Sequence, residues 1–596
     1  MFFDGPVEPA PDAVLHFAVM RDGRPLEGGS APLSSTGSME VAVFRRGRVD
    51  QTSLATDLAL PVDDDASIVL IARWDDHVAC GVEVSFVEGE LQYRDLGIDA
   101  DAVALLEDMQ MLRRRAPQPP ASGEAFSSLS IRGFRGFADE TTLDLARPTG
   151  KAGSGLTIIV GANNGGKSTF LEALQVLARA RTYRDPSFAQ PLRHHSVDEV
   201  HLTLTREDGR SLEVNTIHPG GSQAAVAWLP DPDASEQFAI FMTPARRAFS
   251  PYFGNTGIVD RDWGAHDEPS RTQLRDNFVG RLKKVDRSAE DRKLFDDLLE
   301  EIVGYRLNWT FDEMGNGQQF VKLIEADGSW HTSEGLGEGL ISLLFIVDAL
   351  YDSMPSSLIA IDEPELSLHP QLIRRLRRVL SRYAADRQIV VATHSPLMID
   401  WDDVAAGASI ARVYKNSGRA VLAQVSRETL GAVASLAQSG NRNNPHTLGE
   451  NAKEAFFLED GILILEGLED VTHLPMVLQD LGLAEFDNVY GWGSGGVTNM
   501  PLLAQLFREL GFTRIAALVD GDDNKGTLKA VEQLNQMSPS VLVRRIPADD
   551  IRTKKPSAAR LEKVGLLDAN NKHVRPEFRE ETRAAIQELW DHLAGP

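Results

Sequence analysis

Gly161-Ala162-Asn163-Asn164-Gly165-Gly166-Lys167-Ser168 follows the apolar run Leu156-Thr157-Ile158-Ile159-Val160 and precedes Thr169-Phe170-Leu171-Glu172-Ala173-Leu174, where apolar residues recur at helical spacing. The order is strand, glycine-rich loop, helix, with the spacing G-x-x-x-x-G-K-S. Gly161 and Gly166 let the backbone turn tightly, so that successive N–H groups and the helix N-terminus face phosphate oxygens. Asn163, Asn164 and Gly165 complete the loop. Lys167 brings a compact positive charge to the outer phosphates, and Ser168, followed by Thr169, is placed to ligate Mg²⁺. A chance glycine-rich turn would leave the flanking strand and helix unexplained. The stretch predicts a nucleoside triphosphate site.

Two further apolar runs extend the site. Leu358-Ile359-Ala360-Ile361 ends in Asp362-Glu363-Pro364, so two carboxylates emerge at the C-terminal end of a buried strand, where α/β folds place ligands. Asp362 is expected in the Mg²⁺ shell. Glu363 is expected to orient and deprotonate the attacking water, because phosphoryl transfer needs positioning and charge stabilisation. Gln388-Ile389-Val390-Val391-Ala392 runs into Thr393-His394-Ser395-Pro396, and His394 is the candidate sensor of the γ-phosphate.

The pattern changes beyond about residue 405. Gly461-Ile462-Leu463-Ile464-Leu465 delivers Glu466, and Arg514-Ile515-Ala516-Ala517-Leu518-Val519 ends in Asp520-Gly521-Asp522-Asp523. Either stretch alone reads as a βα unit with an acidic turn. Together, Glu466, Asp520 and Asp522 suit hard-cation ligation by oxygen, Mg²⁺ or Mn²⁺. Such a cluster can neutralise a phosphodiester and activate water for in-line displacement.

In this order, the loop, Asp362-Glu363-Pro364 and Thr393-His394-Ser395 resemble the ABC-type ATPase heads of the structural-maintenance-of-chromosomes and RecF-like class. Phe134-Arg135-Gly136-Phe137 and Pro364-Glu365-Leu366-Ser367-Leu368-His369-Pro370 are similar to that class as well. The resemblance implies ATP held between two heads, with a Ser-Gly signature of the opposing head completing each site. Ser333-Glu334-Gly335-Leu336-Gly337-Glu338-Gly339 is the matching stretch, with Ser333 and Gly335 assigned to nucleotide and Gly337 an alternative. Gln190 stands for the glutamine switch. The acidic pair of strands resembles the TOPRIM fold, with Val489-Tyr490-Gly491-Trp492-Gly493 as the intervening strand and Arg545-Ile546-Pro547-Ala548-Asp549-Asp550-Ile551 as the closing one. Asp470 and Asp523 are nearby candidates, and Lys554 or Lys555 would stabilise developing charge.

An ABC-type head followed by TOPRIM resembles the OLD family (overcoming lysogenization defect) and its relatives in Gabija- and retron-type anti-phage systems. That implies an ATP-regulated, metal-dependent endonuclease with ATP and Mg²⁺ (or Mn²⁺) as cofactors. It also implies nucleic acid as partner, DNA before RNA, and a homo-dimer or higher even oligomer. A partner defence protein or phage-derived trigger belongs to the same expectation. The resemblance to Gabija-like enzymes implies that ATP holds the nuclease off, while the residues themselves leave the sign of that control open.

The expected fold is α/β: a small β-rich N-terminal domain (1–116), a Pro-rich linker (117–127), the head (128–440) with a helical insertion at about 269–303, and a TOPRIM domain (455–596) with C-terminal helices. The insertion reads as an arm, a lid, an oligomerisation surface or plain elaboration, being too long for a simple connection. At 596 residues the chain exceeds one core. With 42% hydrophobic and 25% charged residues its composition is that of a globular protein. One cysteine, Cys80, excludes an internal disulfide, and neither a secretory signal nor a membrane-length apolar run is visible, so a cytoplasmic setting without membrane contact is expected. The net charge of −26 argues against indiscriminate adhesion to nucleic acid. Positive charge for a substrate is sought on the Arg374–Arg382 helix and the run Arg552-Thr553-Lys554-Lys555. Two readings compete with the nuclease. One is an ATP-switch sensor or scaffold that recruits a partner effector without cutting. The other, a topoisomerase or primase, needs modules that the chain does not display.

Overall fold

The computed structural model describes residues 124–182, 187–188, 190–230, 240–243, 271–314, 319–325, 327–332, 337–416, 418–438, 447–555 and 563–595, together with strands between 14 and 95. The N-terminal strands form a five-stranded antiparallel sheet, ordered Arg24–Pro32, Val14–Arg21, Ala66–Trp74, His77–Val87, Glu90–Asp95, and a three-stranded one around Val41–Arg45. The helix expected at 101–115, residues 117–123 of the expected Pro-rich linker and the connector at 439–445 lie outside the described residues, whereas 126–127, assigned to the linker from the sequence, open the strand Phe126–Arg132.

The head is built on a six-stranded sheet ordered Ile240–Thr243, Leu358–Asp362, Gln388–Ala392, Leu156–Val160, Ser409–Asn416, Arg419–Gln424. All neighbours but the last pair run parallel. The three motif strands are buried throughout and mostly apolar because both faces are covered. Their side chains alternate between two cores, as the strand period of two demands. Ile159, Leu358, Ala360, Val390 and Ala392 face a core formed with the helix Lys167–Thr182. That helix buries Phe170, Leu171, Leu174 and Leu177 between this sheet and a second, antiparallel sheet that begins with Thr141–Asp144 and Phe126–Arg132. Each such side chain stabilises the sandwich by roughly 1.5–3 kcal/mol.

Leu156, Ile158, Val160, Ile359, Ile361, Ile389 and Val391 face the other core. Here the helices Arg271–Arg287 and Ala289–Val303 pack on Glu338–Asp352. Phe278 stacks on Phe345 at 3.8 Å between centroids, and buried Arg281 bonds Asp348 (2.8 Å) and Asp352 (2.6 Å). The insertion is thus no projecting arm or lid: these helices are part of the core.

The C-terminal unit has a parallel sheet ordered Ile462–Leu465, Ile515–Val519, Val541–Arg545, flanked by Leu468–Leu481, Met500–Glu509, Lys525–Asn535 and Arg579–Ala594. Val489 adds a single parallel bridge to Leu463, where a full strand is expected. The last strand ends at Arg545, so 546–551 follows the strand it was expected to form. Leu463 and Leu465 face a core of this unit's own, whereas Ile462 and Ile464 join the head's core through Trp401, Phe456, Tyr490 and Phe507. Head and C-terminal unit therefore share one hydrophobic core. Among the described residues no helix is long and apolar enough to cross a membrane.

Candidate functional site

The loop after Leu156–Val160 has the backbone its sequence requires. Gly161 (φ +134°) lies so close to the Val413 carbonyl that a Cβ would stand 2.1 Å from the oxygen, and Gly166 (φ +114°) opens the helix in the same left-handed region. Gly165 is buried, while Asn163 and Asn164 present their side chains to solvent. Thr169 is buried in the first helical turn. Lys167 Nζ donates to the carbonyls of Gly161 and Ala162, both at 3.0 Å, and to His394 Nε2 at 2.6 Å. Burial draws the Lys167 ammonium down to about 8 against the pull of Glu363 and Asp362. Burial, then the Lys167 charge, lowers His394 to about 4. His394 is thus a neutral acceptor at neutral pH, as the hydrogen bond requires.

Ser168 Oγ donates to Asp362 Oδ1 at 3.1 Å, which brings a hydroxyl and a buried carboxylate to one point at the strand end. These are the oxygens that would hold Mg²⁺. Glu363 sits at φ +47°, and its Oε1 lies 3.6 Å from His394 Nε2. Its N–H bonds the Ala392 carbonyl at 2.8 Å. Sequence reasoning gave no role to Glu365, yet it lies under the switch: its Oε1 accepts the His394 N–H at 2.5 Å, and burial raises its carboxyl. Ser333 and Gly335 lie outside the described residues. Gly337 caps the helix Glu338–Asp352, and Glu338 Oε2 accepts from Ser367 Oγ at 3.0 Å. Gln190 opens a short 3₁₀ turn.

The second site forms at the C-terminal edge of the parallel strands Ile462–Leu465 and Ile515–Val519. Glu466, Asp520 and Asp522 come together there with Asp470 and Asp550. Burial, then the charges of Asp470, Glu466 and Asp550, pushes Asp520 up to about 9. Burial raises Asp470 to about 7, and burial followed by the Asp522 charge raises Glu466. Asp522 is held low despite its burial, because Lys563 Nζ (2.6 Å), Thr527 Oγ1 (2.6 Å) and Asn524 Nδ2 (2.7 Å) all donate to it. Gly496 N–H bonds the Glu466 carbonyl at 2.9 Å, and Gly467 N–H bonds Asp470 Oδ2 at 2.8 Å, fixing the turn that presents Glu466.

An all-oxygen donor set of this kind suits Mg²⁺ or Mn²⁺, and Glu466 Oε2 is buried without a hydrogen-bond partner. As the side chains stand, no group of three His, Cys, Asp or Glu among the described residues closes on a metal position. The reason is visible. Lys563 Nζ lies 2.6 Å from Asp522, 3.5 Å from Asp550 and 3.9 Å from Asp520, so an ammonium supplies the compensating charge. The residue types fit a divalent ion once Lys563 yields.

Lys563 was missed in the sequence because a lone lysine far along the chain carries no motif. Lys554, one of the two lysines expected near the chemistry, pairs with Asp550 (2.5 Å) and Glu469 (3.0 Å); Lys555 is exposed, and Arg552 also pairs with Glu469. Asp523 turns outward to Arg545 at 2.9 Å. The arginine-rich helix is mostly committed as well. Arg375 bonds the Val303 carbonyl at 2.6 Å, Arg377 pairs with Asp400 at 2.5 Å and the exposed Arg382 with Glu301 at 2.8 Å; Arg374 and Arg378 are exposed as well.

A largely parallel sheet whose central strand feeds a phosphate-binding loop, with carboxylates at the end of the next strand but one, defines a P-loop nucleotide hydrolase. More particularly, a family model described as "AAA domain, putative AbiEii toxin, Type IV TA system" matches residues 229–400, and one described as "AAA domain" matches 128–249. Residues 128–400 are an ATPase domain of the AAA type. No curated protein matches the chain. Among solved structures, the SMC head domain from Thermotoga maritima is 13% identical with a TM-score of 0.30, covering 51% of this chain and 99% of that one. The structure described as the Smc head domain with an extended coiled coil bound to the C-terminal domain of ScpA derived from Pyrococcus furiosus is 13% identical with a TM-score of 0.35, covering 53% and 99%. Nothing about activity is taken from likeness at that level.

Proposed function

We propose that this protein is an ATP-regulated, divalent-metal-dependent endonuclease of the OLD type, with an ABC-like ATPase head and a TOPRIM-like C-terminal unit, serving as an anti-phage effector. One observation carries the reading. Carboxylates from separate segments, Glu466, Asp520 and Asp522, converge at one sheet edge, at an electrostatic cost that a structural turn has no use for. In this reading they hold Mg²⁺ or Mn²⁺, which when bound supplies a nucleophile and neutralises phosphate charge. Asp470 holds the Gly467 turn, and Asp550 keeps Lys563 and Lys554 beside the cluster. In the head, Lys167 and the loop N–H groups bind the ATP phosphates, Ser168 and Asp362 hold Mg²⁺, Glu363 orients the attacking water, and His394 reads the γ-phosphate. The shared core gives ATP a route to the carboxylates. Nucleic acid, DNA before RNA, is the substrate, and the protein acts as a homo-dimer or higher even oligomer.

The recruiting reading also has an observation in its favour: Lys563 pairs with Asp522 and lies within reach of Asp520 and Asp550, offsetting part of the cluster's charge. One experiment separates the two. The full chain is incubated with Mg²⁺ or Mn²⁺ and a panel of single- and double-stranded DNA and RNA, with and without ATP. Cleavage that disappears in Asp520→Ala supports the nuclease. Intact substrate under every condition removes it.

A further inference from the structure

We propose that Glu365 is a positioning residue for ATP hydrolysis: it holds the Thr393–Ser395 segment so that His394 stays between Lys167 and Glu363. The proposal rests on the reading of His394 as part of the ATP site.

The geometry starts at the end of the strand Leu358–Asp362. Glu363 takes a left-handed backbone (φ +47°), Pro364 follows, and the turn closes with Leu366 N–H on the Glu363 carbonyl (3.1 Å) and Leu368 N–H on the Glu365 carbonyl (3.0 Å). This turn directs the Glu365 side chain inward, beneath the end of the neighbouring strand Gln388–Ala392. The sheet ladder ends there: Ala392 is the last paired residue of that strand, and its carbonyl accepts Glu363 N–H. The next N–H groups need other acceptors. Thr393 N–H reaches the Ile159 carbonyl in the strand that feeds the phosphate loop, at 3.0 Å. His394 N–H goes to Glu365 Oε1 at 2.5 Å, and the fully buried Thr393 hydroxyl bonds the same carboxylate while accepting Ser395 N–H at 3.0 Å. Glu365 thus fixes two successive residues of the switch from below. On the other side of the segment, the His394 ring meets Lys167 at 2.6 Å and Glu363 at 3.6 Å.

A structural loop anchor has cheaper solutions. Glu365 Oε2 is buried with no hydrogen-bond partner, so half of an interior carboxylate is desolvated without compensation. Exceptions of this kind call for an explanation beyond stability. Rigid placement of the ring supplies one, since a displacement of about 1 Å at a catalytic group can cost about 10²-fold in rate. Glu365 touches neither nucleotide nor water in this scheme; it acts through His394.

The test is a double-mutant cycle in ATP hydrolysis by the full chain. Glu365→Ala should lower kcat by about 10- to 100-fold and leave KM for ATP within about threefold, because the phosphate loop is untouched. Glu365→Gln keeps a carbonyl acceptor for His394 N–H and should restore kcat to within about fivefold of wild type. In a His394→Ala background, Glu365→Ala should add less than about twofold, since the two residues act as a unit. Should the alanine variant fail to melt cooperatively, Glu365→Met fills the volume without an acceptor, with the same expectation. Wild-type kcat in the alanine and methionine variants, or losses that multiply with His394→Ala, would overturn the proposal. Wild-type kcat in His394→Ala itself would instead overturn the role given to His394, which separates the two failures.

Discussion

Arg412, on a strand of the head's sheet, donates its guanidinium to the Leu510 carbonyl of the C-terminal unit at 3.2 Å. A second bond reaches the Leu458 carbonyl at 2.8 Å, and the cation lies 4.1 Å from the Phe512 ring centroid. Burial lowers its pKa to about 10, which leaves it charged at neutral pH. The next residue, Val413, is the one whose carbonyl packs on Gly161 of the phosphate loop. One stretch of strand therefore touches the nucleotide loop on one side and is bonded into the C-terminal unit on the other. Replacing Arg412 by Leu strands one buried and one partly buried carbonyl, so unfolding should become easier by about 2–4 kcal/mol. Denaturant titration followed by tryptophan fluorescence measures this. A loss below about 0.5 kcal/mol would show that the contact does not hold the units together.

The nucleotide site makes a paired prediction. Lys167→Ala removes the only side-chain cation described at the loop and should abolish ATP binding. Glu363→Gln keeps the loop and should bind ATP while turnover falls by at least about 10²-fold. Equilibrium binding of a fluorescent ATP analogue, set beside phosphate release, distinguishes the two. Full hydrolysis by the Glu363 variant would take that residue out of water activation.

Lys563 and a divalent ion compete for the same carboxylates. Lys563→Met should therefore raise Mn²⁺ affinity at the C-terminal site, and Glu466→Gln should lower it, each by about tenfold for roughly 1.4 kcal/mol of charge interaction. Calorimetry on a Lys167→Ala background keeps ATP-site metal out of the signal. Weaker Mn²⁺ binding in Lys563→Met would mean that the lysine supports the ion rather than opposing it.

A pH prediction comes from Asp480, which His573 Nδ1 (2.9 Å), Val574 N–H (3.0 Å) and Arg579 hold at about 2. A carboxylate depressed on folding stabilises the fold above its unfolded value, near 3.8, and loses that contribution as pH falls through about 2. Asp480→Asn should cost about 1–3 kcal/mol at pH 7, with a deficit that narrows below pH 4. Thermal melts across pH would show it. A deficit constant down to pH 2 would assign the loss to packing.

Much of the head was legible because its strands are buried on both faces and end in chemistry: Leu156–Val160, Leu358–Asp362 and Gln388–Ala392 each announce a sheet edge, and the structure lays them side by side. Glu466, Asp520 and Asp522 were legible for the same reason. The heavily charged sequence of the insertion left an arm, a lid, an oligomerisation surface and plain elaboration all open, and its apolar stripe, with Phe278, Leu282, Phe295 and Leu299, packs inward. The arginine helix suggested a phosphate surface, yet pairing with distant Asp400, Glu301 and Val303 is a tertiary fact that no local pattern displays. Lys563 and Glu365 escaped for a like reason. Each gains its meaning from a partner on another segment, Asp522 in one case and His394 in the other.

The central claim is that ATP occupancy in the head sets the activity of the carboxylate site. Phosphodiester hydrolysis with a divalent metal is downhill and needs only positioning and charge neutralisation, so gating explains the ATPase better than energy supply does. The direct measurement is nucleic-acid cleavage against ATP concentration by wild type and Lys167→Ala, with Asp520→Ala as the inactive control. Wild-type cleavage should change by at least about fivefold with ATP, the lower end of an allosteric coupling, while Lys167→Ala stays at one level throughout. Equal, ATP-independent cleavage by wild type and Lys167→Ala would contradict the claim.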